Sequence, residues 1–210
     1  MKDYQALLDR YNNFPEHRQA AEQYLEKYWL DKKELTQEWL EIKNRIFNKD
    51  FHSLPDRHIN ENYNVIILKG GIVFFKEEFE IYQTCMKIVG DKYFIVLEDY
   101  DENKSANTSG HPYRLKFPVN ITWEEMISHG DPYLLSSEVF LIPTRNYFVF
   151  GDSGMWGKYE GIDYRVPLSI IGGDENYYGL FYDKFRVPNE DVEALKKWTA
   201  SCGMKLTGYD

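Results

Sequence analysis

Apolar residues in the first 48 positions recur at helical spacing. Leu7, Leu8, Tyr11 and Phe14 form one stripe, and Ala20, Ala21, Tyr24, Leu25, Tyr28 and Trp29 form a second beyond Pro15. Leu35, Trp39, Leu40, Ile42, Ile46 and Phe47 continue the pattern into a third helix. Charged residues fill the positions between, as in helices that bury one face and solvate the other. The polar stretch Asn48–Asn62, with Pro55, His52 and His58, breaks the period and reads as a loop. The pattern therefore predicts a helical N-terminal subregion over residues 1–50 and a second unit over 63–210, either separate or as one continuous domain.

Beyond the loop the period changes. Asn64–Leu68 reads as a buried strand, with Ile72–Phe75 as its hairpin partner across Gly70-Gly71. Lys76–Val89 carries Phe79, Tyr82, Met86 and Val89 on one side, with Gly90 placed as a helix stop. Lys92–Leu97 and Tyr113–Phe117 predict strands on either side of a polar loop at Asp99–Pro112. Thr122 and Glu125 have the spacing of a capping box, so a short helix should begin there and end near Gly130. Glu138–Ile142 and Tyr147–Phe150 predict two more strands, and Pro188 opens a C-terminal helix with Val192, Leu195 and Trp198. Mixed helices and strands with hairpin-length links predict an α+β fold around a largely antiparallel sheet with flanking helices.

The most locally specific stretch is Asn146–Gly173. An aromatic strand runs into Gly151-Asp152-Ser153-Gly154, residues suited to a turn, and the apolar run Val166–Ile171 follows. The expected form is a hairpin or looped strand pair with Trp156 and Tyr159 folded back over the join.

Composition adds two constraints. The chain has 210 residues, enough to bury roughly 70% of the unfolded surface, and it is rich in rings, with 17 Tyr, 13 Phe and 5 Trp. Its 34 acidic and 25 basic residues leave a net charge of −9. That charge disfavours a phosphate-reading nucleic-acid interface, which needs clustered Lys and Arg; it suits a basic protein partner or solubility alone. Cys85 and Cys202 lie far apart, in no metal or redox spacing, and are expected as reduced thiols of a cytoplasmic protein. Met1–Tyr4 opens a charged helical pattern, and no apolar run reaches the roughly 20 residues of a membrane span.

Ser153 is the sharpest candidate for chemistry, because Gly-Asp-Ser-Gly also surrounds the nucleophile of chymotrypsin-like proteases and Gly-Asp-Ser opens an esterase block. A serine hydroxyl needs a base within hydrogen-bond reach. His129, the last histidine, precedes Ser153, and His52 and His58 lack the expected context. A turn is the plainer reading. The five histidines show no metal-ligand spacing, and neither Gly70-Gly71 nor Gly172-Gly173 completes a nucleotide-binding fingerprint, so no cofactor or metal is expected. Carboxylates cluster at Glu77-Glu78-Glu80, Glu98–Glu102, Glu124-Glu125 and Asp174-Glu175, where solvated faces explain them as well as acid–base pairs do.

The combination of the aromatic strand, Phe150-Gly151-Asp152-Ser153-Gly154, Trp156-Gly157-Lys158-Tyr159 and the Pro167–Ile171 run resembles the C-terminal signature of bacterial immunity proteins encoded beside polymorphic or contact-dependent toxins. The resemblance implies a non-enzymatic inhibitor that binds and neutralises a cognate toxin. Under it Trp156, Tyr159, Asp152, Asp99, Asp101 and Glu102 are the expected partner contacts, with a basic toxin domain as partner. The alternatives are a structural or interaction domain in which Trp156 and Tyr159 only plug the hairpin, and a hydrolase using Ser153.

Overall fold

In the computed structural model the described residues are 4–35, 37–48, 58–69, 73–99, 112–127, 139–140, 146–161, 168–185, 193–194, 196–197 and 200–201. Their helices are α1 (Gln5–Leu8), α2 (Pro15–Tyr28), α3 (Gln37–Ile46), α4 (Lys76–Val89), α5 (Trp123–Met126) and α6 (Tyr178–Phe185), with a 3-10 turn at Asp9–Tyr11. The strands are β1 (Tyr63–Lys69), β2 (Tyr93–Glu98), β3 (Arg114–Pro118), β4 (Tyr147–Gly151), β5 (Trp156–Gly161) and β6 (Leu168–Asp174). All six strands form one sheet in the order β1-β6-β5-β4-β2-β3, and every pairing is antiparallel. The α+β class with an antiparallel sheet is what the pattern predicts.

Strand alternation divides the sheet into two buried faces. Ile66, Phe94, Val96, Leu115, Phe117, Tyr147, Val149, Trp156 and Ile171 share one core with α1, α2, α4, α5 and α6. Val65, Ile67, Ile95, Leu97, Phe148, Phe150, Tyr159 and Ile170 share the other with Ile46, Phe47 and Ile59, and Trp39 and Ile42 of α3 pack against it. A fully buried ring such as Phe94 contributes roughly 1.5–3 kcal/mol. The N-terminal helices therefore supply both cores, and Phe47 forms a β-bridge to Ile59 on the far side of residues 49–57.

Local signals act where they were read. Pro15 opens α2 at its first position. Thr122 Oγ1 accepts the Glu125 amide at 3.1 Å, and the Glu125 carboxylate accepts the Thr122 amide at 3.2 Å, closing the capping box of α5. Gly90 takes φ +92°, so Gly90 N–H reaches Lys87 O and Asp91 N–H reaches Met86 O, a left-handed stop for α4.

Three expectations are corrected. Val73–Phe75 is not a strand and β1 pairs with β6, about a hundred residues on; Val73 and Phe74 are apolar because they are buried, not because they pair. Val139 and Phe140, expected in a strand, are helical, since a short apolar run is consistent with either element. Trp156–Gly161 is not folded over a join but is a central strand, paired with both β4 and β6. Helix α6 has no counterpart in the expectations. The predicted C-terminal helix is represented by helical residues 193–194, 196–197 and 200–201; Val192, Leu195 and Trp198 lie outside the described residues.

The edge strand β3 is blunted by its neighbours. Leu30 N–H donates to Arg114 O at 2.9 Å, Trp29 bridges Leu115, and Pro118 ends the strand. At the sheet centre Gly157 and Gly172 face each other across β5 and β6. A Cβ on Gly157 would lie 2.6 Å from Ile46 and 2.8 Å from Phe47, and one on Gly172 would lie 2.7 Å from Ile59. The end of α3 and the Ile59 segment thus rest directly on bare backbone. Gly157→Val should cost about 1–3 kcal/mol through overpacking, read as a lower urea midpoint at unchanged slope; an unchanged midpoint would show that Ile46 and Phe47 do not sit there.

Candidate functional site

The turn that carries Ser153 is built from three directions. Gly154 takes φ +65°, where a side chain is strained, and its N–H closes a turn onto Gly151 O at 3.1 Å. Asp91, delivered by the stop of α4, accepts Ser153 N–H at 2.8 Å through Oδ1 and Trp156 Nε1–H at 2.7 Å through Oδ2. A Cβ on Gly151 would lie 2.1 Å from that carboxylate, so only glycine admits it. Arg45 of α3 donates to Ser153 O at 2.9 Å and Tyr63 of β1 donates to Gly154 O at 2.7 Å. Asp152 accepts Lys92 N–H at 2.9 Å, joining the turn to the start of β2.

Within this clamp Ser153 Oγ accepts the Met155 amide at 3.2 Å, a local serine turn. The side chain held against it is the Asp91 carboxylate, and among the described residues no histidine is hydrogen-bonded to it. Burial raises the Asp91 pKa above the usual carboxylate range, and the hydrogen bonds from Ser153 and Trp156 oppose that rise.

Trp156 and Tyr159 were expected together at a partner surface, and both are fully buried. They lie on opposite faces of β5: Trp156 packs on Phe181 and Tyr82, whereas Tyr159 packs on Phe148 and His58. An anchor needs an exposed ring, so neither serves as one in this fold. Asp152 is partly exposed and occupied with the start of β2. Asp99, also partly exposed, accepts the Tyr159 hydroxyl at 3.1 Å. Lys43 lies nearby with its ammonium 4.0 Å from the Phe148 ring centre; burial lowers its pKa and the charge of Asp99 works against that. Asp101 and Glu102 lie outside the described residues.

A second polar group sits inside the helix-covered face. The Lys158 ammonium lies 3.1 Å from Glu160 Oε2 and donates to Val73 O, with Phe74 and Tyr82 rings at 5.3 and 5.6 Å. Ser169, opposite Glu160 on β6, donates to the same carboxylate. Both charged side chains are almost wholly buried, at 1% and 3% exposure, which rules out contact with a large partner. Sequence reasoning passed over this pair, although Trp156, Lys158 and Glu160 alternate along one strand and so must share a face. Cys85 is a free buried thiol whose pKa burial pushes up to about 11; Cys202 lies outside the described residues. Among the described residues no cluster of His, Cys, Asp and Glu is arranged to hold a metal ion, and no helix is long and apolar enough to cross a membrane.

Among the described residues, a groove of about 770 Å³ lies between the α2–α3 connection and the outer strands β3 and β2. Trp29, Trp39, Tyr93, Lys116 and Pro118 line it, together with Glu26, Lys27, Lys33, Glu34 and Glu38. Tyr93 is 40% exposed there. No protein-family model, curated protein or solved structure matches the chain.

Three expected outcomes follow from the buried groups. Asp91→Ala strands the buried Trp156 indole donor, which should cost about 1–3 kcal/mol, and the half-buried Ser153 amide, which should cost less, as measured by urea unfolding. Because the folded pKa of Asp91 is raised, the native state binds its proton more tightly than the unfolded chain. Wild-type stability relative to Asp91→Asn should therefore be greatest below the ordinary carboxylate range and fall as pH rises through the raised value; a difference that grows with pH would contradict the burial account. Lys158→Met leaves Glu160 uncompensated and should cost about 3–5 kcal/mol, whereas Lys158→Met with Glu160→Leu should cost markedly less. A double-mutant loss equal to the sum of the losses from Lys158→Met and Glu160→Leu alone would show that the two charges are not coupled.

Proposed function

We propose that this chain is a non-enzymatic protein-binding factor of the bacterial cytoplasm, an immunity protein that binds and neutralises a cognate toxin domain. The observation that carries this reading is the use of Ser153. Its amide is bound by Asp91, its hydroxyl by Met155 N–H and its carbonyl by Arg45, so the catalytic-looking tetrapeptide serves as the clamp of a hairpin. The buried polar side chains of the central strands, Lys158, Glu160 and Ser169, are paired with one another in the interior. What the surface offers instead is charge and rings: a net charge of −9 and a groove lined by Trp39 and Tyr93. An acidic surface steers a basic partner and raises its association rate, and large rings with few rotors provide contact area at low entropic cost. The resemblance carried by Asn146–Gly173 points the same way.

The test is co-expression with the toxin domain encoded beside its gene. The expected result is restored growth and co-elution of the two chains, with an association rate that falls as salt rises. Continued toxicity together with separate elution at low salt would reject the immunity reading.

A further inference from the structure

Both oxygens of the Asp91 carboxylate are in use, and they serve different parts of the chain. Oδ1 accepts the Ser153 amide at 2.8 Å and Oδ2 accepts the Trp156 indole at 2.7 Å. A carboxylate accepts at both oxygens, whereas a protonated carboxyl carries a donor on one of them and keeps one good acceptor. A single proton therefore costs Asp91 one of these two bonds, and the packing decides which. The carboxyl has no room to turn, because its three heavy atoms crowd the place a Cβ would take at Gly151. Trp156 is fully buried and packed on Tyr82 and Phe181, which shuts its N–H off from water. Ser153 is only half-buried, like its neighbours Asp152 and Met155. Its amide passes to water at small cost, whereas a stranded indole N–H carries a full desolvation penalty.

The charges around the carboxyl come from each element that meets the turn. Asp152, on the same turn, acts on Asp91 by its charge and favours the proton. Arg45 of α3 is turned to Ser153 O, Tyr63 of β1 donates to Gly154 O, and Asp174 of β6 donates its amide to Met155 O. Lys87 in the last turn of α4 and Lys92 before β2 are exposed, and α6 meets Trp156 with the uncharged Phe181. Burial and the charge of Asp152 raise the pKa of Asp91 against the bonds from Ser153 and Trp156, so its proton arrives before ordinary carboxylates titrate.

From this we infer that Asp91 is an acid-operated latch on the β4–β5 hairpin: charged, it ties the hairpin tip to the end of α4, and protonated, it keeps the Trp156 indole and releases the Ser153 amide. Arg45, Tyr63 and the Lys92 amide still hold the tip, so the sheet stays folded while the tip loses its tie to α4. The latch does not depend on the immunity reading.

The test is NMR of the isotope-labelled protein from about pH 8 down to about pH 4, a span that brackets a raised carboxyl. The Asp91 carboxyl carbon and the Ser153 amide should titrate with one midpoint, above the ordinary carboxylate range. Below it the Ser153 amide, corrected for intrinsic exchange, should lose about tenfold or more in protection, while Trp156 Nε1–H and the Val149 amide of β4 stay protected. Asp91→Asn, which offers one acceptor and one donor at every pH, should leave Ser153 unprotected and without the titration. Asp152→Asn should keep the titration and move its midpoint down. An Asp91 titration that leaves Ser153 protected, loss of Trp156 protection with Ser153 retained, the same Ser153 transition in Asp91→Asn, or equal loss at Val149 would overturn the latch. If Asp91→Asn does not fold, the wild-type midpoints and Asp152→Asn decide between these outcomes.

Discussion

The carboxylate of Asp91 is the tie on which the β4–β5 hairpin depends. It sits where the left-handed stop of α4 delivers it, and it accepts one bond from the turn backbone and one from the indole of Trp156. A charge removed from water is costly unless its lone pairs are used, and here the Ser153 amide and the buried Trp156 indole use them. The same contact joins three parts of the chain: the end of a helix, the tip of a hairpin and the core ring of a central strand. Glycine at position 151 is required because the carboxylate occupies the space of a side chain there. Ser153 is consequently held by its backbone at the tip of the hairpin.

Strand β5 shows how the two faces of the sheet are put to different uses. On one side Trp156, Lys158 and Glu160 lie beneath α4 and α6, and the ion pair is sealed by Val73, Tyr82 and Ser169. On the other, Gly157 lets α3 approach the backbone and Tyr159 reaches Asp99. Burial on both faces consumes most of the aromatic residues that composition brings to notice. The rings left at the surface are on a different part of the molecule, around the α2–α3 connection and Tyr93.

This division explains why the candidate surface was misplaced in the linear reading. Trp156 and Tyr159 stand next to a turn, where exposure is the common state, and nothing local reveals that Phe181 and Tyr82 cover the first while Phe148 and His58 cover the second. Asp91 was equally hidden, since its partners are 62 and 65 residues away. The groove draws on residues from 26 to 118, so only packing brings Trp39, Tyr93 and Lys116 together. Some missed features were readable: Tyr178, Phe181, Tyr182 and Phe185 have the helical spacing of α6, and alternation in β5 places Lys158 and Glu160 on one face.

Local backbone chemistry was legible by itself because its partners are close in sequence. The stop at Gly90, the box at Thr122 and Glu125 and the opening of α2 at Pro15 are satisfied within a few residues, as is the Gly154–Gly151 bond of the hairpin turn, and the mixed pattern carried the α+β class with them. Strand partners, burial and surface were decided by the tertiary structure. An apolar run states that it must leave water but not which surface will cover it, so β1 found β6 instead of its neighbour, and Trp156 became core instead of contact.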